Sequence, residues 1–280
     1  MNGKHRSLLA LMAGFAMSAF AAGGGGAAGI APEFLAMAPE PSAAALARIP
    51  DPGRKLLALR SYLRAGNRLA DRWSWTEEQI KAFEVSAERA ALTAEIDAVS
   101  AHFARCNAGH SLYVHSMVRS LDVQIEHWNA NESVGAAAGE LAAAYAGAFA
   151  GGNADGDAIR NWLVAYRGQK QSNIAAPGLS PHGRGRAIDF QVMNDGKIIA
   201  GADSKQVETV WRSQHWDERL LASIIAASAA FFGPLKSPDE PWHFDYDPSR
   251  NAADRAHPKP AQPSGSAPPC RSTEPAGVPK

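Results

Sequence analysis

Two short segments hold the side chains best suited to chemistry. "LSPHGRGRAIDF" (Leu179–Phe190) carries His182 and Asp189, and "DEPWHF" (Asp239–Phe244) carries Glu240 three positions before His243. Imidazole nitrogen and carboxylate oxygen are the donors a catalytic zinc takes, usually about three from the protein, with one position left for water and a carboxylate base close by. Neither segment is sufficient alone, because an H-x6-D pair or an E-x-x-H pair arises by chance in many chains. Their joint occurrence, with Arg167 upstream in "AYRG" and an export-type N-terminus in front, is what points to a metal site.

The chain must bring these segments together. Gly183 and Gly185 allow a close turn to carry His182 into a strand, expected over Ala187–Met193, that bears Asp189. On a regular strand Glu240 and His243 would diverge, since residues two apart share a face; Pro241 therefore predicts a bend or bulge that turns both toward one centre. "NDG" at Asn194–Gly196 signals a hairpin that returns through "KIIA". A strand in "NWLVAYRG", a helix from about Val207 to Phe231 and a last strand in "PWHFDY" complete this part.

The preceding half reads as helical. One helix is expected over Arg54–Arg64. "TEEQ" at Thr76–Gln79 has capping-box spacing and starts a long helix toward Arg105, with Ile80, Phe83, Ala87, Ala90 and Ala94 along one apolar face. Leu112 to Ala150 is mostly helical and stops at Gly151 and Gly152. His102, His110, His115 and His127 lie here without an acidic partner at compact ligand spacing, so they read as surface or core histidines.

The N-terminus carries Lys4 and Arg6 before an apolar run ending in Ala19, Phe20 and Ala21, the pattern of an export signal cleaved before Ala22. An uncleaved N-terminal membrane anchor is the alternative reading. The division that follows is a signal peptide (1–21), an Ala/Gly/Pro-rich tether (22–50), a helical region (51–152), a catalytic domain (153–250) and a disordered Pro-rich tail (251–280). Two cysteines, Cys106 and Cys270, are too few for a disulfide framework, though an oxidising compartment would let them pair. Lys plus Arg and Asp plus Glu balance at 28 each, so no overall charge excess is available to hold nucleic acid.

"SPHGRGRAID" (Ser180–Asp189) followed by "EPWHFDY" (Glu240–Tyr246) resembles the paired signature of the VanY-type D-alanyl-D-alanine carboxypeptidases, within the wider class of hedgehog-like zinc peptidases. That pattern is S-x-H-x-x-G-x-A-x-D, then E-x-W-H, with an upstream G-Y-R-S-like segment. The resemblance spans about Asn161 to Tyr246. It implies an α+β fold, a small antiparallel sheet with flanking helices, preceded here by the helical region. It also implies a Zn2+ cofactor on His182, Asp189 and His243, Glu240 as general base toward water, and Arg167 holding the substrate or the developing oxyanion. Ser180 and Trp242 would flank the substrate cleft, with core packing the other reading for Trp242. "AYRGQ" lacks the usual glycine and serine around the arginine, and Arg186 stands where an apolar residue is common.

The implied activity is hydrolysis of peptide bonds in peptidoglycan stem peptides, foremost removal of a terminal D-alanine, in the periplasm or cell envelope. An endopeptidase using the same site is a near alternative. A zinc-containing cell-wall-binding module without catalysis is the other, disfavoured by Glu240, since binding zinc requires no base there.

Overall fold

A computed structural model describes residues 36–151 and 155–250. The expected signal segment, the tether before residue 36, the C-terminal tail and Cys270 lie outside the described residues. Mixed helix and strand make an α+β fold, with helices flanking a small antiparallel sheet.

Helices come first. α1 (Ser42–Ala47) falls inside the stretch expected as tether; Ala45, Leu46 and Ile49 are fully buried, which corrects the later part of that expectation. α2 (Pro52–Ala65) starts on an Asp51 cap with Pro52 at its first position, an arrangement that supplies an acceptor where the first amides lack one. After the short α3 (Leu69–Arg72) comes α4 (Glu77–Glu84), whose Thr76 and Gln79 form the full capping box. The long helix expected toward Arg105 is interrupted at Val85, and Ser86 caps a new helix, α5 (Ala87–Cys106). A serine that accepts from Arg89 N re-starts the hydrogen-bond ladder there, and residue-level periodicity does not register it.

His110–Val114 is strand β1, so the helical region is not helical throughout. α6 (Leu121–Ala130) and α7 (Glu132–Ala148) follow. "NWLVAYRG", expected as a strand, ends helix α8 (Gly156–Ala165): Asp155 caps it, and Ile159 and Leu163, four apart, are its buried face.

β2 (Ala187–Asn194) is the central strand. One edge pairs with β1 along residues 190–194; the other is shared by β5 (His243–Tyr246) along residues 187–189 and β3 (Lys197–Ala200) along residues 192–194. Asp195 and Gly196 both take positive φ (47° and 74°), the conformation of a two-residue type I′ hairpin, as "NDG" predicts. The helix expected from Val207 to Phe231 is a π-helical segment (Val207–Arg212), then α9 (Trp216–Ala227), separated by His215 at φ 58°; β4 (Phe231–Phe232) then pairs with β5.

Two buried clusters result among the described residues. Leu56, Leu59, Tyr62, Trp128, Leu141 and Leu163 join α2, α6, α7 and α8. The second joins the sheet to α5 and α9 through Phe103, Phe190, Val192, Trp211, Leu220 and Phe244. Alternation along β2 sends Ile188, Phe190 and Val192 into this second cluster and leaves Asp189 on the opposite face.

Candidate metal centre

Strand register does the first part of the positioning. Asp189 of β2 stands directly across from His243 of β5, and side chains opposed in an antiparallel pair point to one face with Cβ atoms about 5 Å apart. Phe190 N donates to Trp242 O at 3.0 Å and locks the alignment.

His182 arrives from above this face. Pro181 opens a 3-10 turn over Pro181–Arg184, and Gly185, at φ 62°, closes it with its amide on Pro181 O. The turn is clamped from the chain's first half: Arg119 N donates to His182 O at 2.9 Å and Trp75 N to Gly183 O at 2.8 Å. Beneath them the buried Gln124 amide donates to Ser74 Oγ (2.9 Å) and Arg119 O (2.8 Å) and accepts from Gly178 N (3.0 Å).

Gly183 is needed for this close approach, since a Cβ there would lie 1.9 Å from Ser74 Oγ and 2.7 Å from Gln124 Nε2. Gly183→Ala is expected to cost about 1–3 kcal/mol of stability through overpacking, read from urea unfolding, and to weaken metal retention with it. An unchanged urea midpoint would contradict this clamp.

Three donor atoms converge. His182 Nε2 lies 3.2 Å from His243 Nδ1, His243 Nδ1 lies 3.0 Å from Asp189 Oδ1, and Asp189 Oδ1 lies 3.4 Å from His182 Nε2. A single proton can bridge one side of such a triangle but not all three. A tetrahedral ion with bonds near 2.0–2.1 Å has ligand atoms about 3.3 Å apart, so the triangle matches one face of its coordination shell. The group could hold a metal ion, and among the described residues it is the only cluster of its kind.

Two of the three donors stand in ligating form, while His243 favours a proton that a metal ion would displace. Burial lowers the His182 pKa, leaving a neutral imidazole with a lone pair to give. Burial by itself would raise the Asp189 carboxyl, but hydrogen bonds with His182 and His243 outweigh it and hold it ionised, well below the usual carboxylate range. Burial opposes charge on His243 too, yet contacts with Asp189 and Asp245 raise it to about 9. Its second nitrogen, Nε2, lies 3.5 Å from Asp245 Oδ1, the supporting contact that fixes a ligand ring's orientation.

Glu240 reaches the group by a turn and not from the strand. His243 N donates to Glu240 O at 3.1 Å, Pro241 and Trp242 occupy the corner, and Glu240 Oε2 lies 3.6 Å from His243 Nδ1. The bend expected at Pro241 is therefore present. Burial, opposed by the charge of His243, pushes the Glu240 carboxyl up to about 7.

The arginine at the centre is Arg119, whose guanidinium holds Asp189 Oδ2 at 2.9 Å. Arg167 instead donates to Val164 O, Ala165 O and Tyr166 O at the end of α8, where a cation satisfies carbonyls the helix leaves open. A signal for Arg119 does exist in the sequence: Arg119–Ser120 keeps the Arg-Ser pair of the upstream pattern, which Arg167–Gly168 lacks. Ser180 is buried beside the 3-10 turn. Trp242 is 4% exposed, packed against Trp211 with ring centroids 5.8 Å apart, in keeping with the core reading. Arg186 pairs with Glu88 at 2.5 Å.

Comparison with protein-family models, with curated proteins and with solved structures finds no match to this chain.

Proposed function

We propose that this protein is an exported zinc peptidase that hydrolyses peptide bonds in peptidoglycan stem peptides, foremost as a D-alanyl-D-alanine carboxypeptidase of the cell envelope. The observation that carries the reading is the triangle of His182 Nε2, His243 Nδ1 and Asp189 Oδ1, with sides of 3.0–3.4 Å and the half-buried Glu240 carboxyl at its edge. The chemistry of the donors, two imidazoles and a carboxylate, suits zinc. Zinc in that position supplies Lewis acidity toward a carbonyl and toward water.

The rest falls to the chain's own side chains. Glu240, with its carboxyl raised to about 7, is poised to take a proton from the attacking water on Oε2 and to return it to the departing amine. Arg119 keeps one guanidinium nitrogen on Asp189 and is 30% exposed, which leaves its other N–H groups to donate to a substrate carboxylate or to the oxygen that gains charge. Held on Asp189, that fork is already oriented before substrate arrives, so little freedom is lost when it binds.

Digestion of purified muropeptides, followed by mass measurement, tests the proposal. Loss of a single alanine from pentapeptide stems is expected, and Arg119→Gln is expected to slow it about 10–100-fold with metal retained. Cleavage inside the stem or cross-link would replace the carboxypeptidase assignment with endopeptidase. No cleavage by the metal-loaded protein would end the enzymatic reading.

A further inference from the structure

Away from the metal centre, α2, α7, the end of α8 and the segment Gly168–Leu179 line a half-open cavity of about 470 Å³. Arg60, Arg64, Arg72, Arg167 and Lys170 line it and, among the described residues, no aspartate or glutamate does. The chain as a whole is electrically balanced, so this is a local concentration of charge and not a share of a basic surface.

Part of that charge has a structural use. Arg60 and Arg64 donate to Tyr166 O at 2.7 and 2.6 Å, and Arg167 to the last carbonyls of α8. A helix C-terminus offers about half a negative charge, far short of five cations. The neighbouring Glu140 offsets one more at most, and its oxygens already accept from the amides of Gln169 (2.8 Å) and Lys170 (2.6 Å). Arg60 Nε is buried and, among the described residues, has no hydrogen-bond partner, and burial together with the charge of Arg167 weakens that guanidinium's hold on its proton. An oxyanion in the cavity would offset the like-charge crowding of these side chains.

We propose that this cavity is a second ligand site, separate from the metal centre, for a small molecule bearing two or more oxyanion groups, carboxylate or phosphate. Planar guanidinium forks bind such groups through paired hydrogen bonds. The volume suits a small ligand, and Leu57, Trp128 and Leu141 give its carbon skeleton an apolar wall.

Isothermal titration of the full-length protein at low ionic strength, with tricarballylate and separately with inorganic phosphate, tests this. Saturable one-to-one binding of at least one of them is expected. Removing metal with a chelator should leave that binding intact. Arg72→Gln with Lys170→Gln, neither residue being one of the arginines that cap α8, should weaken it about tenfold or more. Lys170→Gln alone, at an exposed position, should weaken it about threefold and keeps the test open if the double variant misfolds. Preference for tricarballylate assigns a carboxylate ligand, and preference for phosphate a phosphoryl one. The proposal is overturned if neither probe saturates, if the variants bind as tightly as the parent, or if binding disappears with the metal.

Discussion

His182→Ala is expected to strip the protein of its metal. The imidazole side chain is 6% exposed and supplies one corner of a three-donor triangle, so its loss leaves two donors. Losing a supporting contact around a metal ligand costs about 10–100-fold in affinity or activity, and losing the ligand itself should cost about 10³-fold or more. Elemental analysis should fall from about one zinc per chain to a small fraction of that, and hydrolysis of muropeptides should fall with it. Circular dichroism should still show the helices, because α2, α7 and α8 pack in a cluster that does not include His182. Full metal content in this variant would sink the centre as described.

Glu240→Gln is expected to do the reverse: metal stays and turnover goes. Glutamine has the shape of glutamate, and the turn is held by backbone contacts, Glu240 N to Leu235 O and His243 N to Glu240 O, both at 3.1 Å, which the substitution leaves in place. What disappears is a group able to accept a proton, worth about 10²–10⁴-fold in kcat. Measured together, the two variants separate metal binding from proton transfer. Near-parental activity in Glu240→Gln would remove Glu240 from the role of base.

The segments bearing His182, Asp189, Glu240 and His243 were legible in the sequence because their signals are local. A Gly-flanked turn entering an alternating strand, and a proline after Glu240, each express a short-range steric rule that survives in a linear reading. The same holds for the Asp195–Gly196 hairpin and the Thr76 capping box. "NWLVAYRG" misled because a short apolar run fits strand and helix alike, and the deciding features were Asp155 as a cap and burial of Ile159 and Leu163 against neighbouring helices. The break at Val85 was hidden for a related reason: alanines carry the three-and-four spacing across it, yet Ala87, Ala90 and Ala94 are exposed, and the face α5 buries is Leu92, Ile96, Val99 and Phe103.

By itself, then, the sequence determined which residue types can ligate and which turns present them. Only the tertiary structure decided that Asp189 and His243 face each other across two strands, and that Arg119, and not Arg167, stands at the centre. Only the tertiary structure showed, too, that Trp75 and Arg119 hold the His182 turn from the far half of the chain. The physical reason is range. Dihedral and capping preferences act over a few residues, whereas register, burial and the meeting of Arg119 with Asp189, 70 positions apart, are fixed by packing the whole sheet against its helices.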